Sequence, residues 1–188
     1  DGDGDEDALV TNSGANTVSV LANDGTGSFS TASTIGVGSD PTGITAFDAD
    51  NDGDMDAVVA NFNNDSVTLL TNDGSGNFST STTSVGSKPE RFAAMDIDAD
   101  GDTDLLVTNR NSNNVSVLTN DGSGNLSATG TVSVGTMPIG ITAIDIDADG
   151  DQDALVTNRA SDNVTVLTND GAGNFSTSAF GSGGSQPW

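Results

Sequence analysis

The chain has 188 residues with 28 acidic and only four basic side chains, which gives a formal net charge of −24. It contains no Cys, which excludes disulfides and thiolate metal sites, and no His, which removes the commonest general base and zinc ligand. No apolar run reaches the roughly 18 residues that a membrane-spanning helix needs, and no basic patch could meet nucleic-acid phosphates. The chain begins at Asp1 without Met or a signal peptide, which predicts a processed form or part of a longer chain.

Along the chain, one order of parts recurs with a period of about 49 residues, and such a period is typical of propellers, solenoids and other repeat arrays. The equivalent glycines Gly4, Gly53, Gly101 and Gly150 mark the four copies. Each complete copy has a Pro-led strand, an Asp-rich loop, an apolar run, an alternating run, a turn and a last strand. Examples of the Pro-led strand are Pro41–Phe47 and Pro138–Ile144. In the copy around Gly101, the loop is Asp96–Asp104, the apolar run Leu105–Asn109, the alternating run Asn114–Thr119 and the turn Asn120–Gly124, and the last strand runs from Leu126 to about Gly135.

The segments between the loops have the patterns of β-strands. Val115 and Val117 alternate with polar residues, whereas Leu105, Leu106 and Val107 are consecutive, which predicts a strand buried on both faces. The Asn-Asp-Gly-x-Gly turns suit tight hairpins, and no segment has helical periodicity over three turns. Four short antiparallel strands in each period predict an all-β, propeller-type array of blades with small residues on the inner strands.

The Asp-rich loops have the spacing D-x-D-x-D-G-x-x-D, which suits Ca²⁺. This cation takes roughly 6–8 oxygen ligands at about 2.3–2.6 Å, and Gly at position 6 permits a sharp turn. Carboxylates at positions 1, 3, 5 and 9 and the carbonyl of position 7 are the predicted ligands, giving three complete sites and a partial fourth at the N-terminus. The predicted metal-site residues are Asp1, Asp3, Asp5, Asp7, Asp48, Asp50, Asp52, Asp54, Asp56, Asp96, Asp98, Asp100, Asp102, Asp104, Asp145, Asp147, Asp149, Asp151 and Asp153.

Two other interpretations of these loops remain. They could be acidic, solvated turns, although the spacing recurs with Gly in register. An EF-hand needs flanking helices and Glu at position 12, where this chain has Val59, Val107 or Val156. A calcium site here would serve a structural role, and a ligand bridged by the calcium ion is the alternative.

The repeat unit resembles the FG-GAP/VCBS repeat over nearly the whole chain. The resemblance is carried by Pro-x-x-Ile-x-Ala-x-Asp-x-Asp-x-Asp-Gly-Asp-x-Asp-Ala-Leu-Val-Thr-Asn, followed by Asn-Val-Ser-Val-Leu-Thr-Asn-Asp-Gly-x-Gly-x-Phe. That family contains calcium-bearing β-propellers, including the integrin α-subunit head and secreted bacterial proteins. The resemblance implies a propeller with calcium in the hairpin between the first and second strands, and the family usually has seven blades.

The Pro-led strands define the expected domains. Residues 1–40 would form a partial blade without its innermost strand, residues 41–88, 89–137 and 138–186 complete blades, and residues 187–188 the start of another. We therefore expect Ala8–Thr11 to pair with a strand from outside residues 1–188, either from further blades of a longer chain or head-to-tail from a second copy, which could build a filament.

Several side chains outside the loops also have an expected role. Phe29, Phe78, Leu126 and Phe175 are expected to pack between blades. Arg110 and Arg159 are surface charges or binding residues, and Trp188 is a packing residue of the next blade or an exposed docking group.

These features favour a calcium-stabilised structural or adhesion module outside the cell or at its surface. The alternatives are a carbohydrate-binding module for surface glycans, or the non-catalytic propeller of a secreted polysaccharide-degrading enzyme. An enzyme is disfavoured because most carboxylates are committed to the loops, and the chain has no His or Tyr and only one Lys, Lys88.

Overall fold

The computed structural model describes residues 2–187, and its strands form four separate antiparallel sheets. In each sheet the strands are hydrogen-bonded in sequence order. Sheet 1 contains β1 (Ala8–Asn12), β2 (Thr17–Asn23) and β3 (Phe29–Gly36); sheet 2 contains β4 (Pro41–Phe47), β5 (Asp56–Asn61), β6 (Ser66–Asn72) and β7 (Phe78–Ser84); sheet 3 contains β8 (Pro89–Met95), β9 (Asp104–Asn109), β10 (Asn114–Asn120) and β11 (Leu126–Ser133); sheet 4 contains β12 (Pro138–Ile144), β13 (Asp153–Asn158), β14 (Asn163–Asn169) and β15 (Phe175–Gly181).

This topology places each Asp-rich loop beside an Asn-Asp-Gly turn. Because neighbouring strands are antiparallel, the loop between the first and second strands and the turn between the third and fourth lie at the same end of a sheet. We call this the loop end, and the other end the opposite end. The array is therefore all-β and propeller-like, as the sequence predicted.

The core lies between the sheets, and the second strands of sheets 2 and 3 each contribute to two interfaces. Leu105 and Val107 pack against sheet 2, whereas Leu106 packs against sheet 4, and all three side chains are completely buried. This arrangement explains the consecutive apolar residues, because alternate side chains on a strand point to opposite faces.

The first strands of neighbouring sheets approach closely. A Cβ atom on Gly43 would lie 2.2 Å from the carbonyl oxygen of Glu90 on β8, so any larger residue would push the strands apart. The Thr108 hydroxyl of β9 donates to the carbonyl of Ile139 on β12 over 3.1 Å. The close approach of the two backbones therefore requires glycine at position 43, which is one of the small residues predicted for these strands.

The first sheet differs from the others because, among the strands of the described residues, β1 pairs with β2 and has no strand on its other side. Phe78, Leu126 and Phe175 pack against the inter-sheet cores as predicted, but Phe29 is exposed. The reason is that, within residues 2–187, no sheet precedes sheet 1. Pro187 lies outside any strand and Trp188 outside the described residues. No helix in residues 2–187 has the length and apolar character needed to cross a membrane.

Candidate metal centre

In the part of the chain that the structure describes, three groups of carboxylates converge at the loop end, one in each complete Asp-rich loop. In each group, one oxygen of position 1, one of position 3 and one of position 9 lie within 4.8 Å of one another. Three oxygens at this separation can contact one hard cation together. The groups are Asp48, Asp50 and Asp56; Asp96, Asp98 and Asp104; and Asp145, Asp147 and Asp153.

Each loop is held in a sharp turn by residues that the sequence identified. Gly53, Gly101 and Gly150 at position 6 have φ values of 93°, 94° and 102°, a region that favours glycine. The Asp48 side chain accepts a hydrogen bond at Oδ2 from the Gly53 N–H over 3.0 Å, and Asp96 makes the equivalent 3.1 Å bond to Gly101. One oxygen of position 1 therefore fixes the turn, while the other can point into the carboxylate group.

The position-9 carboxylates anchor the loops in the core. Asp104 is completely buried, and it accepts hydrogen bonds from the Ile97 N–H at 2.9 Å and the Asn120 N–H at 2.7 Å. Burial raises the pKa of Asp104 to about 6, the two hydrogen bonds oppose this rise, and the charges of Asp98 and Asp100 add to it. Burial likewise raises the pKa of Asp56. A cation in the group would offset this cost of burying negative charge.

Unpartnered oxygens show that the residues fit a cation. Oδ1 of Asp48, Asp50, Asp96 and Asp98 is buried and makes no hydrogen bond. A buried carboxylate oxygen without a donor is costly, because it loses its water without a replacement. The donor set is oxygen only, which is typical of Ca²⁺ and Mg²⁺ sites and excludes the Cys and His ligands of most structural zinc sites.

Positions 5 and 7 lie outside these three groups. Asp52 Oδ1 accepts a hydrogen bond from the Asp54 N–H over 2.8 Å, and Asp100 and Asp149 make the same contact with Asp102 and Asp151. The Asp54 carboxylate lies against Gly74 of the neighbouring turn, so its side chain points away from the group. This orientation agrees with a role for position 7 through its backbone carbonyl, which remains a prediction.

The N-terminal loop is described from residue 2 onward, so Asp1 lies outside the described residues. Asp7 Oδ1 accepts a hydrogen bond from the Asn23 N–H over 2.9 Å, which is the contact that Asp104 makes with Asn120. That hydrogen bond lowers the pKa of Asp7. Asp3 Oδ1 accepts from the Asp5 N–H over 3.0 Å, as position 5 does in the complete loops.

Two features were missed from the sequence. The side chains of Asn120 and Asn169 donate to backbone carbonyls of the preceding sheet's loop, at Ala49 and Ile97, each over 2.8 Å. The recurrence of Asn at this position in all four copies could have indicated such a role. At the opposite end, the Phe62 ring lies 4.8 Å from Lys88 Nζ and 5.9 Å from Arg110 Cζ, a cluster that brings together residues far apart in sequence.

The repeats themselves match a known family. The model of the FG-GAP-like repeat matches residues 1–59, 50–107 and 96–156. The chain belongs to the FG-GAP-like repeat family. No curated protein sequence matches it significantly.

Solved structures with the same fold have little sequence in common with this FG-GAP-like chain. A candidate 6-phosphogluconolactonase from Bacteroides uniformis is 17% identical, with a TM-score of 0.71 over 93% of this chain and 51% of its own. The periplasmic gluconolactonase of Pseudomonas aeruginosa is 22% identical, with a TM-score of 0.65 over 91% and 50%. An Agrocybe aegerita lectin, described with specific recognition of non-reducing terminal N-acetylglucosamine, is 19% identical, with a TM-score of 0.52 over 87% and 46%. The chain thus spans about half the length of these proteins, and the likeness concerns the fold alone.

Proposed function

We propose that this chain is a calcium-stabilised structural or adhesion module that works outside the cell or at its surface and has no catalytic activity of its own. The observation that supports the proposal best is the set of buried, unpartnered carboxylate oxygens on Asp48, Asp50, Asp96 and Asp98, each beside a fully buried position-9 carboxylate. The bound cation would neutralise these groups and hold each loop against its sheet.

Calcium is favoured over magnesium by the kind of loop. Ca²⁺ accepts irregular shells of carboxylates and carbonyls, whereas Mg²⁺ demands a smaller octahedron and gives up its waters reluctantly. Extracellular calcium modules typically bind with Kd of roughly 10⁻⁴–10⁻³ M, which matches calcium levels outside cells rather than inside them. The location is proposed because the FG-GAP-like repeat family includes secreted proteins, and the titration below tests whether the affinity falls in this range.

The experiment is a calcium titration of the purified chain by calorimetry, with thermal unfolding in calcium, magnesium and excess chelator. Because calcium binds the folded loops, a hundredfold excess over Kd should add about 2.7 kcal/mol per site to the free energy of unfolding. Chelation should lower the melting temperature, and magnesium should restore it poorly. An unchanged melting curve in chelator would contradict the proposal.

A matched pair of variants separates the carboxylate group from general acidity. Asp98→Ala removes the ligand oxygen that Asp98 contributes to the convergent group, so it should reduce the calcium content by one ion. Asp102→Ala removes the same charge from the same loop, but the Asp102 side chain lies against Gly122 rather than in the group. It should keep the full calcium content. Equal calcium loss in both variants would show that only the net charge matters.

Carbohydrate binding is the second candidate, and the Phe62 cluster favours it. A half-buried aromatic ring beside Lys88 and Arg110 could contact a sugar ring that carries acidic groups. The likeness to the Agrocybe aegerita lectin makes the test worthwhile. A glycan array would support this candidate if an acidic glycan bound the native chain and failed to bind Phe62→Ala. A non-catalytic propeller within a secreted polysaccharide-degrading enzyme would fit the same result.

A further inference from the structure

Large exposed apolar side chains in residues 2–187 are concentrated on two outward surfaces. The first, which we call the leading face, is the side of sheet 1 that points away from sheet 2, with Val10 42% and Phe29 51% exposed. The second, the trailing face, is the side of sheet 4 that points away from sheet 3, with Ile144 45%, Ile146 43% and Phe180 59% exposed. Met55, on neither face, is the remaining large apolar side chain of this kind.

Residues equivalent to those of the leading face are covered wherever another sheet precedes them. Val59, Val107 and Val156 stand at the position of Val10, and all three are completely buried. Phe175, at the position of Phe29, packs into the core shared by sheets 3 and 4. The leading face is therefore built as the receiving side of a sheet-to-sheet junction.

Residues equivalent to those of the trailing face are covered wherever another sheet follows. Met95 and Ile97 of sheet 3 correspond to Ile144 and Ile146 of sheet 4, and both are buried in the core between sheets 3 and 4. Phe180 pairs with Val164 on β14, as Val132 pairs with Val115 on β10, and Val132 packs against the same core. The trailing face therefore has the apolar pattern of the other side of such a junction.

A polar contact also distinguishes the two sides. At the junction of sheets 3 and 4, the Asn169 side chain donates to the carbonyl of Ile97. The equivalent donor on the leading face is Asn23, and the equivalent acceptor on the trailing face is the carbonyl of Ile146. The two faces are therefore complementary to each other and not to themselves, which favours a head-to-tail contact.

We propose that the partner of these faces is a second copy of this chain, and that two copies close into one ring of eight sheets. The array superposes on 51% and 50% of two propeller-like chains, with TM-scores of 0.71 and 0.65. Four sheets arranged with this curvature therefore account for about half of each of those chains. Two copies related by a two-fold axis bury both leading and both trailing faces. This closure prevents the open filament that a head-to-tail contact otherwise builds.

The test is native mass spectrometry and sedimentation equilibrium of residues 1–188 in millimolar calcium. The native protein should form a particle with twice the mass of one chain. Ile146→Asp and Phe29→Asp should each raise the dimer Kd at least about tenfold, because each places a charge in an apolar junction. Met55→Asp adds the same charge at an exposed side chain outside both faces, so it should remain dimeric.

Mixing the two variants tests the head-to-tail geometry. A mixture of Ile146→Asp and Phe29→Asp restores one native junction, so a heterodimer should form at concentrations at which each variant alone is mostly monomeric. A monomeric native chain, an open polymer, or a dimer that either variant retains unchanged would each overturn the inference. Calcium content is measured on the same samples, so a calcium-loaded monomer would overturn this inference while supporting the proposed calcium role.

Discussion

Asn169 on β14 donates its side-chain amide to the carbonyl of Ile97, 2.8 Å away and 72 residues earlier in the chain. Its backbone N–H donates to Asp153 of its own sheet's Asp-rich loop, over 2.9 Å. One residue thus joins the loops of two neighbouring sheets, and Asn120 does the same with Ala49 and Asp104. Order in one loop is therefore linked directly to packing against the next sheet.

We predict that Asn169→Ala lowers the free energy of unfolding by about 1–3 kcal/mol, because the buried carbonyl of Ile97 loses its donor. Urea unfolding in calcium would measure the change. Asn72→Ala is the control, since the Asn72 side chain donates only a 3.4 Å bond to the Met55 carbonyl. Equal losses in both variants would contradict the role given to the inter-sheet contact.

Ala99 is the target of a stabilising substitution. It stands at position 4 of its loop with a φ of 61°, a left-handed conformation that Asn tolerates better than Ala. At the same position in sheet 2, Asn51 donates to Asp102 of sheet 3 over 2.8 Å. Ala99→Asn should therefore relieve backbone strain and gain an equivalent bond to Asp151, raising stability by about 1–2 kcal/mol.

Ala148→Asn separates these two contributions. Ala148 also has a φ of 61°, but within the described residues no sheet follows sheet 4 to supply an acceptor. This variant should gain only the conformational part, about 0.5–1 kcal/mol. Thermal unfolding of both variants would show whether Ala99→Asn gains more, and an equal gain would exclude the inter-sheet hydrogen bond.

The exposed turn carboxylates give a prediction about pH. The Asn77 side chain donates to Asp73 over 2.9 Å, and this bond, with that from the Ser75 N–H, lowers the pKa of Asp73. Because the folded pKa is lower than the unfolded one, the stabilisation is complete above the unfolded pKa of about 3.9 and is lost as the pH falls through the folded value.

Asn77→Ala should raise the pKa of Asp73 toward its ordinary value. The equivalent Asp121, whose pKa is lowered by Asn125, should be unaffected. Carboxyl NMR titration of the two residues in one variant provides the measurement and its control together. A shift of both pKa values, or of neither, would refute the assignment.

The inner edge of β1 gives the last prediction. Within residues 2–187, β1 pairs only with β2, whereas each β-strand at the equivalent place in sheets 2, 3 and 4 also pairs with a Pro-led strand. A peptide with the sequence of residues 138–147 should therefore add to β1 and slow hydrogen exchange in Ala8–Asn12. A scrambled peptide of the same composition should have no effect, and identical exchange with both peptides would show that this edge does not accept a strand.

The local features of this protein could be predicted from its sequence because neighbouring residues determine them. Gly53, Gly101 and Gly150 take the positive φ expected of a sharp loop, and the first strands begin at Pro41, Pro89 and Pro138 as the repeat indicated. The convergence of positions 1, 3 and 9 also takes place within a segment of nine residues, and so short a loop can bring them together without help from distant parts of the chain.

The tertiary structure decided what lies between repeats. Whether Asn169 meets Ile97, or whether Phe175 is buried while the equivalent Phe29 is exposed, depends on which sheet stacks against which face. Equivalent residues have nearly the same local sequence, so no local pattern distinguishes an interior face from an outward one. That difference comes from the burial of apolar surface between sheets, which is a property of the stacked array and not of any single repeat.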